Sequence, residues 1–375
     1  MLLTSPLSSP LKNPVRDVFS PAGGSPSLTA QVQALFAGGK VGGMWDMGDI
    51  ATLFQDAATP VTAVTQPIGI VLDKSQGLVR GVELISNGSF DTDTIWSKGT
   101  GWSITGGAAT SVGANQFQAL TQTTATISGK TYEVSFVVSR TSGSLLFRLG
   151  SGANKADISA SGSYRYVVQA DGGSIAFLSN ATGFEFVGTI DNVSVRELPG
   201  NHATQPTAGS RPLYQVVSSY GCAQFDATDD ALLFPAITFG GAFNTFVAGK
   251  VTSGTQGIHL WRTADVNGTW AKYKSGDATT PTGTGSGSPT YAVNGTALSP
   301  SQQGQLYTQI NGVDCVVESI GVVLTAETAL QFSGFAGSLF TGNEHRILMI
   351  SGTLTAAEKL LCHQWCAEGN GVTVV

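Results

Sequence analysis

Glycine limits this chain more than any other residue type, at 48 of 375 positions. A residue without Cβ weakens helices and serves tight turns. Only 12% of the residues are charged, and Thr, Ser and Val are abundant. That mixture suits many short strands joined by turns, so the expected fold class is all-β. The length exceeds one typical domain, and 41% hydrophobic residues are enough for two cores.

A formal charge of −6 argues against nucleic acid as the main partner, because phosphate binding needs a concentrated positive surface. The chain has no apolar run of about 18 residues, so no membrane span is expected. Met1-Leu2-Leu3 lacks a cationic start and meets prolines at once, unlike a secretory leader. Cys222, Cys315, Cys362 and Cys366 are too few and scattered for a disulfide framework and read as reduced, buried thiols.

The amino terminus repeats a four-residue unit: Ser5-Pro6-Leu7-Ser8, Ser9-Pro10-Leu11-Lys12, Asn13-Pro14-Val15-Arg16. Proline fixes φ and removes a donor, so residues 1–26 should be extended, offering Leu7, Leu11 and Val15 to a partner. Over residues 27–40, Leu28, Val32, Leu35 and Phe36 share one helical face, ended by Gly38-Gly39. Such a stripe must be buried, either on its own sandwich or between subunits of a homo-oligomer, a trimer being one form.

Chemistry is sparse. Asp226, Asp229 and Asp230 cluster, but they read as a turn whose side chains cap backbone N–H groups. Cys362, His363 and Cys366 share a helix face, yet a tetrahedral metal site needs further ligands, so core packing is expected. The dispersed His202, His259, His345 and His363 allow no Ser, His and Asp triad to be argued from spacing alone, and the sequence carries no phosphate-loop motif. The chain is therefore expected not to be an enzyme.

Two sets of motifs carry a resemblance. Asn87-Gly88-Ser89-Phe90-Asp91, Gly101-Trp102-Ser103-Ile104 and Asp191-Asn192-Val193-Ser194-Val195 stand in the order and at the separation of one sandwich of roughly 100 residues. Residues 83–198 thus resemble the jelly-roll carbohydrate-binding modules. On either side, Trp45-Asp46-Met47-Gly48-Asp49 through Leu53-Phe54-Gln55-Asp56, Thr59-Pro60-Val61 and Asp73-Lys74-Ser75 precede the module, and Asn201-His202-Ala203-Thr204-Gln205 through Arg211-Pro212 follow it. Residues 41–82 and 199–375 resemble the concanavalin-A-like (laminin-G-like) sandwiches of bacteriophage tail and virion proteins. There the Asp-Lys-Ser turn and the Asn-His-Ala-Thr-Gln segment would nearly touch. Phe332-Ser333-Gly334-Phe335, the strand Glu344–Ile350 and a helix capped by Thr355 and Glu358 agree with that ending.

The resemblance implies an all-β chain of two sandwiches, a jelly roll inserted in a concanavalin-A-like sandwich. It requires no cofactor, but allows a structural calcium held by Asn87, Asp91 and Asp191, whose residue types suit a hard cation; Asn87 and Asp91 read equally well as turn residues. Sugar recognition uses aromatic rings and planar polar groups. The candidates are Trp96, expected exposed in a polar loop; Tyr164 and Tyr166, sharing one face that is core or groove; and Trp261 with Trp270, a binding ledge or ordinary hairpin packing.

The expected function is a non-catalytic phage virion protein, associated with tail or baseplate, that attaches to host surface polysaccharide. Its arm would dock on other virion proteins, and its place would be the virion, after synthesis in a bacterial cytoplasm. The alternative is a purely structural capsid decoration or head spike without sugar binding.

Overall fold

A computed structural model describes residues 26–373, apart from 182, 227, 255, 264–268, 284–288, 300, 324–328 and 333–339. Leu7, Leu11 and Val15 lie outside the described residues. The chain is all-β, and its described residues form four antiparallel sheets stacked as two sandwiches, with three short α-helices.

Among the described residues the strands between residues 97 and 197 form two sheets of their own, tied to the preceding segment by a bridge between Glu83 and Arg196. One sheet runs Ala156–Ile158, Leu145–Leu149, Ser174–Ser179, Ala119–Thr123, Ser97–Lys98; the facing sheet runs Gly162–Gln169, Thr131–Ser142, Val187–Glu197, Ala108–Val112, Trp102–Thr105. The period-two pattern of Thr131–Ser142 is nearly complete: Tyr132, Val134, Phe136 and Val138 are buried and their neighbours are not. Alternation places those four on one face of the strand. Phe136 meets Phe147, Phe177, Tyr164 and Tyr166 at 4.9–5.9 Å, and each fully buried ring contributes about 1.5–3 kcal/mol.

The second sandwich is built from both flanks. Ile70–Val71 pairs with Leu53–Phe54 on one side and Ala203–Thr204 on the other. Gly42–Asp46 pairs with Thr341–Ser351, which also carries Phe243–Val251 and Tyr220–Asp226. The Asp73 and Asn201 segments meet, as the resemblance implied: Asp73 Oδ2 accepts from the Asn201 N–H at 2.7 Å.

The three helices are α1 (Leu28–Ala37), α2 (Gln303–Ile310) and α3 (Ala356–Glu368). Thr355 and Glu358 form the expected capping box of α3. Val32 and Phe36 are buried with Met44, Phe246, Leu348 and Trp365, and Leu28 and Leu35 pack on that cluster. The assembly role considered for Leu28, Val32, Leu35 and Phe36 is thus corrected, because their stripe is covered by α3 and the chain's own sheet. Cys362 and Cys366 are core residues of the same cluster, and all four cysteines are free and buried. Among the described residues no helix is long and apolar enough to cross a membrane.

The sandwiches meet over Phe54, Ile70, Leu72, Val167 and Leu198, with Leu78 packed against them. The Val167 N–H donates to Ala57 O at 2.7 Å. Arg165 lies over the Phe54 ring at 5.4 Å, and Glu133 holds both Arg165 and Arg80. The jelly roll therefore docks through the outer face of its Gly162–Gln169 sheet, and the other sheet lies on the far side from the second sandwich.

Candidate functional site

Several residues singled out in the sequence prove to be core. Trp96 is 5% exposed, which corrects its placement as a surface ring. Its loop folds back because Asn87 (φ 53°) donates its side-chain amide to Thr92 O and Thr94 O, and Asn87 O accepts from the Trp96 indole at 3.0 Å. The ring then packs on Phe90 and Phe177. Trp102 points inward, stacked on Phe186. Tyr164 and Tyr166 share the core face, stacked on each other and on Phe136. Burial pushes the Tyr166 hydroxyl up to about 12; Tyr166 is buried and Tyr164 half-buried against the same core. Trp261 and Trp270 belong to paired strands, Leu260 standing opposite Trp270 with an irregular register at 261. Their side chains, and the Asn267-Gly268 turn, lie outside the described residues.

The oxygens considered for calcium make local turn contacts. Asp91 accepts from Ser89 Oγ at 2.6 Å, and Asp191 accepts from both the N–H and the side-chain amide of Asn192. Asn87 turns its NH₂ group, which cannot ligate a cation, into the loop.

The open sheet presents a different group. Leu145, Phe147 and Leu149 face the core while Leu146 lies on the other face beside Ala176, Leu178 and Ala119, and there Leu146, Ala176 and Leu178 are themselves only 5–8% exposed. Ladder pairing puts Asp157, Leu146, Leu178 and Ala119 in one row, and Arg148, Ala176 and Thr121 in the next. Polar groups edge this apolar floor: Arg148 Nε donates to Asn154 Oδ1 at 2.6 Å, and Asn180 Nδ2 to Asp157 Oδ2 at 3.0 Å.

Two exposed rings stand at one end of it. Phe117, 52% exposed, holds a left-handed φ of 61° and donates its N–H to Ser179 O; Phe184, 64% exposed, accepts from the Ser144 N–H. Ser144 and Ser179 border adjacent strands, so the two loops leave the same end. Val112, 74% exposed, pairs with Val187 there. A bulky residue at positive φ with its ring in water is strained and uncovered, a combination expected at binding sites. Sequence reasoning missed these residues. The available signal was Phe117 set within the polar run Asn115-Gln116-Phe117-Gln118.

Elsewhere, ligand oxygens of Asp226, Asp229 and Asp230 lie within 4.8 Å of one another. Asp230 accepts from the Asp226 N–H, Asp226 from the Thr228 N–H and Asp229 from Ser210 Oγ, the turn role expected. Burial, then the Asp226 charge, raises the Asp230 carboxyl to about 6. A cleft of ≈620 Å³ runs between the sandwiches past Gln76, Lys130, Gln169, Glu197 and His202. Lys130 and Glu197 pair within it at 2.7 Å, and its aromatic wall, Phe234, is 1% exposed.

No family model matches the chain, and no curated protein matches it. Among solved structures it is similar to the N-terminal CBM22-1–CBM22-2 tandem domain of Paenibacillus barcinonensis Xyn10C, at 10% identity and a TM-score of 0.26, over 74% of this chain and 94% of that one. It is also similar to the tandem CBM51 modules of Sp3GH98, the family 98 glycoside hydrolase of Streptococcus pneumoniae SP3-BS71, at 8% identity and a TM-score of 0.19, over 83% and 100%. Similarity this slight fixes neither a ligand nor a site.

Proposed function

We propose that this chain is a non-catalytic glycan-binding protein of a phage particle, holding saccharide on the open sheet of its jelly roll. The observation that carries the binding reading is the pair of exposed rings, Phe117 and Phe184, at the end of a sheet that bears amide groups and a guanidinium on its outer face. Aromatic rings take the apolar faces of pyranoses, and planar polar groups take hydroxyls. The opposite sheet is occupied by the second sandwich, so this face points away from it.

Support for a non-catalytic role comes from the acidic cluster. Glycosidases hold two carboxyls about 5–10 Å apart with the scissile bond between them. Here the three carboxylates crowd within 4.8 Å and are spent on backbone and hydroxyl donors. The particle assignment, with tail or baseplate as the place, rests on the motif resemblance of the flanking sandwich and on the Pro-Leu repeats of the arm.

The test is binding of the purified chain to host cells and extracted surface polysaccharide, beside Phe117→Ala and Phe184→Ala. Saturable binding that either change weakens tenfold or more is expected. Folded protein that binds nothing would turn the reading toward a purely structural virion part. For the arm, deletion of residues 1–20 should abolish incorporation into particles, and normal incorporation would refute it.

A further inference from the structure

We infer that the saccharide taken by this face is acidic, and that Arg148 receives its carboxylate; the inference rests on the glycan-binding reading. Arg148 stands on the open face of Leu145–Leu149, opposite Ala176, with Thr121 next in the row. Small neighbours leave the long side chain uncrowded on the floor. Its Nε is committed to Asn154 Oδ1 at 2.6 Å, which fixes the plane of the fork while the two terminal nitrogens keep their donors. Among the described residues no carboxylate lies within ion-pair distance of Arg148, whereas nearby Lys155 is paired with Asp171 at 2.7 Å.

A planar guanidinium held by one edge matches a carboxylate through two parallel hydrogen bonds, geometry a hydroxyl cannot reproduce. The floor is also polarised. Asp157 stands in the Leu146 row and repels a second negative group, so the acidic sugar must sit at the Arg148 end and neutral units toward the exposed rings of Phe117 and Phe184. With a whole-chain charge of −6, long-range attraction cannot account for polyanion binding. Selectivity then falls on this one cation.

The experiment uses the full chain on a glycan array carrying uronate- and sialate-containing saccharides beside neutral counterparts. It adds titration of the best polysaccharide before and after reduction of its carboxylates to alcohols. Wild type is expected to favour the acidic form tenfold or more. Arg148→Gln should lose that preference, and Arg148→Lys should fall between them. Equal binding of acidic and reduced forms, or an unchanged preference in Arg148→Gln, would overturn the inference while leaving the glycan-binding face standing. Loss of binding to both forms in Phe117→Ala locates the face independently. If wild type binds no saccharide of either kind, the glycan reading fails, and this one fails with it.

Discussion

The backbone N–H of Asp73 donates to Nδ1 of His202 at 2.9 Å, across 129 positions of sequence. The Asp73 carboxylate answers by accepting from the N–H groups of Met44, Ser75 and Asn201 and from Ser75 Oγ. Both residues are buried. The interrupted sandwich is therefore closed at the point of interruption by hydrogen bonds joining its two flanks. The connecting segments also run side by side, since Gly81 N–H donates to Glu197 O and Leu84 N–H to Val195 O.

Division of the chain at residues 82/83 and 198/199 predicts that the insert can be removed. Replacing residues 83–195 by a short turn should leave a folded sandwich, because the cut ends already lie within hydrogen-bonding distance and loop closure costs little. Phe54, Ile70 and Leu72 lose Val167, so some stability is lost. Far-UV circular dichroism with one cooperative melt is expected; a chain without a melting transition would mean the two sandwiches fold only together.

His202 also sets a pH dependence. Nδ1 accepts from Asp73, so the proton sits on Nε2 and donates to Leu198 O at 2.9 Å; burial pushes the folded pKa below its ordinary value of 6.5. The unfolded state then binds the proton more readily. The stabilisation is present above about pH 6.5 and is lost as pH falls toward the folded pKa. The stability gap between wild type and His202→Asn, from urea melts at pH 7.5 and 5, should narrow on acidification; a constant gap would show that His202 does not titrate in this way.

Legibility followed the range of the forces involved. The meeting of Asp73 with Asn201 and His202 was readable because motif order fixes it. Period two put Tyr164 and Tyr166 on one face, but which face depends on Phe136 across the ladder. Trp96 was misplaced because its polar neighbours suggest a wet loop, whereas Asn87 folds that loop over the core's end. Leu146 and Leu178 lie in strands whose two faces are both apolar, a pattern that hides an outward floor. The stripe of α1 and the capped start of α3 were each legible, while their packing against each other across more than 300 residues was not.

The α1 stripe predicts a stability effect without an assembly effect. Phe36 is 5% exposed in the cluster around Trp365, and Trp365 Nε1 donates to Thr29 Oγ1 at 3.1 Å. Phe36→Ala should cost about 3 kcal/mol with the molar mass in solution unchanged. A change of mass at equal stability would return the helix to an intersubunit role.

Phe117 separates binding from stability most sharply. Its side chain is half in water and its φ of 61° is one that L residues adopt with strain. Phe117→Gly relieves roughly 1 kcal/mol of backbone strain and adds back a similar amount of unfolded-chain entropy, so the melting temperature should stay nearly unchanged. Affinity for the saccharide should nevertheless fall tenfold or more, about 1.4 kcal/mol, because the proposed function makes this ring the part that meets the sugar. A matched pair of calorimetric melts and binding titrations decides it. A large drop in melting temperature would make Phe117 a packing residue, and unchanged affinity would move the site away from this end of the sheet.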